Sequence, residues 1–128
     1  MTKISLLCLL CFFVAGFAGC RSSYFTGDTR IVLDVEPNPP RVGQVTITAR
    51  VTGYLEKPVT GARMKLEGNM SHAGMAPVFA DARELEPGRY QAQMDLSMAG
   101  DWSVSVEMTL SDGTKVYQQF DVKGVSSA

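Results

Sequence analysis

At 128 residues, with 12 basic and 13 acidic side chains, the chain holds one domain's worth of sequence at a net charge of −1. That balance excludes a polybasic surface for nucleic acid or anionic lipid. All three cysteines fall within the first 20 residues, and one histidine serves the whole chain.

Met1-Thr2-Lys3 is a short basic start, and Ile4 through Phe17 is an almost unbroken apolar run of about 14 residues. That length suits a signal-peptide core and is short for a bilayer span. The run closes on Phe17-Ala18-Gly19-Cys20, which resembles a bacterial lipobox. The resemblance implies a signal peptide over 1–19, cleavage before Cys20 and lipidation of that cysteine. An uncleaved anchor helix is the alternative, and either way the remainder faces the envelope. Arg21 is not the aspartate that favours inner-membrane retention in enteric bacteria, so the outer membrane is the better expectation.

After maturation only Cys20 remains, so the domain has no disulfide and no free thiolate even where disulfides are permitted. A mature chain from 20 to 128 suffices for one core. Removing Lys3 from the 12 basic residues leaves 11 against 13 acidic ones. Residues 20–29 read as the lipidated cysteine and a tether, which fully extended spans at most about 30 Å.

From residue 30 the period is two. Ile31, Leu33 and Val35 predict a strand over 30–36, and Val45, Ile47, Ala49 and Val51 another over 44–53. Ala62, Met64 and Leu66 mark 61–68; Val78-Phe79-Ala80 opens a poorer strand over 78–85. Tyr90, Ala92, Met94 and Leu96 mark 89–96, and Trp102 through Leu110 mark 101–110. Val116, Phe120 and Val122 share one face of 114–123, with Gln118 as an edge exception. Pro37-Asn38-Pro39-Pro40 forbids a continuing strand, Pro87-Gly88 suits a type II turn, and Asp112-Gly113 a hairpin. Helical spacing is not sustained anywhere after the signal peptide. Seven short strands predict an all-β, immunoglobulin-like sandwich over 30–124, with 125–128 as a frayed tail.

The stretch Met70-Ser71-His72-Ala73-Gly74-Met75-Ala76-Pro77 sets the single histidine between two methionines in a predicted loop. Thioethers with imidazole suit cuprous copper or silver better than zinc, calcium or magnesium. In a seven-stranded sandwich this connection and the one bearing Met98 emerge at the same end, so Met70, His72, Met75 and Met98 are the candidate ligands. Pro37 to Gly43 would form a third wall. Methionine also fills cores: Met64, Met94 and Met108 have inward parity, and Met98 continues that of its strand, so a plug beside Trp102 competes with ligation there. Trp102 reads as the core tryptophan, and Tyr90 as a packing residue whose hydroxyl bonds nearby backbone.

Gly88-Arg89-Tyr90, Met98-Ala99-Gly100-Asp101-Trp102 and the methionine–histidine loop together resemble the YtkA-like domains, relatives of the FixH accessory proteins. The resemblance covers roughly residues 30–123. It implies copper supply to a terminal oxidase, as for FixH-type proteins, or work beside metal efflux systems. The family's loop commonly runs Met-Pro-x-Met-x-His, whereas here histidine stands between the methionines. A FixH protein also carries a membrane helix where this chain has a lipobox.

Catalysis is not expected. One histidine and no mature cysteine exclude a Cys/His pair and a multi-histidine zinc site. Adjacent Ser71-His72 is not a triad arrangement, and a blue-copper centre needs two histidines and a cysteine. Two functions remain: a Cu(I)- or Ag(I)-binding envelope lipoprotein, or a metal-free module docking an efflux adaptor or oxidase-assembly component. Neither involves nucleic acid.

Overall fold

The computed structural model describes residues 28–72 and 74–127; the signal segment, Cys20 and most of the tether lie outside them. Within this span the alternating residues form seven strands: β1 (Arg30–Glu36), β2 (Gly43–Thr52), β3 (Arg63–Met70), β4 (Val78–Glu86), β5 (Arg89–Leu96), β6 (Gly100–Thr109) and β7 (Lys115–Val125). One 3₁₀ turn, Tyr54–Glu56, interrupts the connection after β2. The strands run antiparallel in the order β1-β2-β5-β4-β3-β6-β7.

Period two becomes two faces. Val45, Ile47, Ala49 and Val51 of β2 meet Trp102, Val104, Val106 and Met108 of β6 in one buried cluster. Met64, Met94 and Met108 are all buried there, as their parity requires. This is an immunoglobulin-like sandwich with one departure in β4. Its first half, from Val78 to Ala82, pairs with β3, and its second half, from Arg83 to Glu86, pairs with β5. A register shift between Glu84 and Glu86 accompanies the pairing with β5. One strand thus serves both layers, as strands that turn sandwich corners do.

Several expected boundaries move by one or two residues, and two of the shifts have a visible cause. The third strand runs two residues past Gly68, so Met70 is its last residue, paired with Trp102, rather than part of a loop. Gly68 does not end the strand because it is needed inside it: a Cβ there would lie 2.9 Å from Met94 Sδ and 3.5 Å from the Trp102 ring. The last residues, expected to fray, are tied down through Ser126. Val125 is buried, Val42 N–H donates to the Ser126 carbonyl at 2.8 Å, and Ser126 N–H to the Pro40 carbonyl at 3.1 Å.

The registers sort the connections into two poles. Gly43 opposite Leu96 and Met70 opposite Trp102 place 37–42, 71–77 and 97–99 at one end. Arg30 opposite Thr52 and Arg63 opposite Thr109 place the chain's entry, 53–62, 87–88 and 110–114 at the other.

Candidate metal site at the methionine pole

Trp102 organises the first pole. It is buried because β6 turns it inward, and its indole N–H donates to the Met98 carbonyl at 2.9 Å. That bond fixes the three-residue turn between β5 and β6. Met70 lies opposite Trp102 on β3, half-buried, and its terminal methyl rests against Gly100, where a Cβ would lie 2.9 Å away. Gly100 has φ of +131°, so both its conformation and this contact disfavour a side chain. Met70, at the end of β3, therefore packs against the turn that carries Met98.

Met98 is 45 % exposed and not a core plug. The alternation that predicted it inward stops at Leu96, and the turn resets which way the next side chains face. His72 and Met75 lie in the β3–β4 connection, His72 exposed and Met75 half-buried. The structure groups Met70 and Met98 about Trp102 and carries His72 and Met75 in the adjoining connection. A hollow of about 320 Å³ beside Trp102 is lined by Met70, Asp101, Asp121 and Lys123, and not by His72, Met75 or Met98.

The groups at this pole are mixed: Met70 shares its hollow with the side chains of Asp101, Asp121 and Lys123. Among the described residues no three His, Cys, Asp or Glu side chains cluster as a metal site. A thioether carries no charge and does not titrate, and it favours monovalent copper or silver over oxygen-seeking ions.

The opposite pole holds Tyr90, 1 % exposed. Its hydroxyl donates to the Val59 carbonyl at 2.8 Å and accepts from Ala62 N–H at 3.2 Å, the backbone role expected of it. Burial, with the charge of Glu84 nearby, raises its pKa above the ordinary 10.0. Glu84 accepts N–H bonds from Gly61 at 3.0 Å and Gly88 at 3.3 Å. The Gly61 bond chiefly holds its carboxyl below the usual range.

Other surface features were not singled out from sequence. Phe79 on β4 and Tyr117 on β7 are 70 % and 64 % exposed, at the two sides of a hollow of about 430 Å³ across β3 and β6. Each sits in an alternating strand, where period alone assigns a face but not whether that face is covered. Tyr54 and Leu55 are likewise exposed at the second pole. Their signal was an apolar pair between Gly53 and Pro58, where a turn has no core to fill.

The seven strands define a small immunoglobulin-like domain. The YtkA-like family model matches residues 26–107, most of the domain, and the chain belongs to that family. No curated protein sequence matches it. Among solved structures, it is similar to the soluble domain of PmoD from Methylocystis sp. ATCC 49242 (Rockwell), at 13 % identity and TM-score 0.48, over 75 % of this chain and 90 % of that one. It is also similar to murine CRIg, at 13 % identity and TM-score 0.44, over 77 % and 99 %. MtrC from Shewanella baltica OS185 matches at 15 % identity and TM-score 0.45, over 78 % of this chain and 22 % of that one.

Proposed function

We propose that this YtkA-like protein is a non-enzymatic, lipid-anchored envelope protein that binds Cu(I) or Ag(I) at its methionine pole for homeostasis, delivery or efflux. The supporting observation is that Met70, at the end of β3, packs against the turn that carries Met98, which Trp102 braces. Met75 and the single histidine, His72, lie in the next connection. Binding is reversible coordination by Met70, His72, Met75 and Met98.

The test is a Cu(I) competition titration of the mature chain beside a His72→Ala/Met75→Leu double variant and Met98→Leu. Submicromolar binding that the double variant loses and Met98→Leu weakens supports the reading. Equal, weak binding by all three overturns it. That outcome would favour a metal-free module docking an efflux adaptor or oxidase-assembly component, for which the uncovered Phe79 and Tyr117 are the supporting observation.

A further inference from the structure

The pole opposite the methionines holds two large apolar side chains out in water. Tyr54 and Leu55 are 69 % and 70 % exposed on the 3₁₀ turn after β2. Leu55 and Glu56 both have left-handed backbone, φ of +56° and +57°. Non-glycine residues enter that region at a cost of about 1–2 kcal/mol each. The turn is nonetheless closed by three backbone bonds, among them Gly53 N–H to the Lys57 carbonyl at 2.7 Å. Backbone strain of this kind clusters at functional sites, and this turn displays apolar residues away from the core. Leu85, 46 % exposed, lies at the same pole beside the Pro87–Gly88 turn.

The chain enters the domain at this pole. Arg30, the first strand residue, pairs with Thr52, two residues before Tyr54. The segment from Cys20 to β1 reaches about 35 Å at most. β7 alone has 11 residues, or about 35 Å at the rise of a strand. A tether that starts at one pole and is no longer than the domain reaches past the other pole only when drawn out straight along it, so any slack in it brings the entry pole to the membrane.

We infer that the pole carrying Tyr54 and Leu55 rests on the bilayer, and that the methionine pole faces away from it. This rests on the reading of Cys20 as the lipid anchor. Leu55 enters the acyl boundary and Tyr54 stays at headgroup level, where amphipathic rings settle. Glu56 and Lys57, both exposed beside them, offer one charge of each sign. That pairing matches a zwitterionic headgroup rather than an anionic one.

The mature chain, residues 20–128, has one thiol, Cys20. It can be coupled to a maleimide lipid in zwitterionic phosphatidylcholine vesicles whether or not the cell lipidates it. A Leu55→Trp chain, with Tyr54→Trp as its substitute should the first misfold, is compared with Met98→Trp in plain and acyl-brominated vesicles. With the Trp102 emission of the wild type subtracted, we expect the tryptophan at 54 or 55 to shift blue and lose most of its emission to bromine, and that at 98 to lose none. No quenching at 54 or 55, or equal quenching at both poles, overturns the orientation. Fatty-acid labelling of cells expressing the wild type or Cys20→Ala reads the anchor separately. A chain that takes no lipid in cells yet is quenched at 55 on coupled vesicles overturns the anchor and leaves the pole's membrane affinity standing.

Discussion

Tyr90→Phe removes one oxygen from the core and leaves the ring in place. The lost hydroxyl both donates to the Val59 carbonyl and accepts from Ala62 N–H, so two backbone groups of the 53–62 connection lose their partner together. At about 1 kcal/mol net for each bond, the expected cost is about 2 kcal/mol. For a domain of this size that lowers the midpoint of thermal unfolding by about 10 °C. Urea unfolding followed by Trp102 fluorescence, with circular dichroism for the thermal scan, measures both, and the slope on urea should not change. Tyr117→Phe is the control, since Tyr117 is 64 % exposed and its change should stay within about 0.5 kcal/mol. The variant also carries a pH signature. A tyrosine whose folded pKa is raised keeps its contribution below the ordinary 10.0 and loses it as pH rises through the folded value. Tyr90→Phe should lack that alkaline loss. If its midpoint matches that of Tyr117→Phe, the hydroxyl does not brace the connection and the reasoning fails.

Glu84 should give the complementary acid signature. Its folded pKa lies below 4.5, so its contribution is full above that value and is lost as pH falls through the folded one. Glu84→Gln should therefore show a flatter decline of urea midpoint with acid than the wild type, and parallel curves would refute the role of the Gly61 and Gly88 bonds. Deleting residues 124–128 removes buried Val125 and both Ser126 bonds. We expect a loss of about 2 kcal/mol or more, where a frayed tail would cost nothing. Gly100→Ala should push Met70 off the β5–β6 turn and weaken Cu(I) binding beyond any loss of stability, read by competition titration on folded protein.

Most of the strand pattern was legible because burial on one face imposes period two, and no boundary moved by more than about two residues. What the pattern missed lies where neighbours rather than period decide. Gly68 looks like a strand end until Met94 and Trp102 are seen to need its missing side chain. The division of β4 between two partners depends on pairing across the fold, which alternation within one segment does not encode. Val125 is an ordinary valine near a terminus until Pro40 and Val42 are found beside it. At the methionine pole, topology alone put the two connections at one end. Met98, however, turned outward once its strand had stopped at Leu96.

The shared strand β4 has a consequence for how copies of the chain meet. By joining both sheets it makes the seven strands one continuous ribbon whose free margins are β1 and β7. Exposed backbone margins are where β proteins recruit one another into aggregates. A typical two-sheet sandwich has four such margins. Here β4 closes the two inner margins in part, Val78–Ala82 pairing with β3 and Arg83–Glu86 with β5, and the β1–β2 connection is tied to the end of β7 where Val42 meets Ser126. Each stretch of margin that β4 covers is backbone no longer open to a strand of a neighbouring copy.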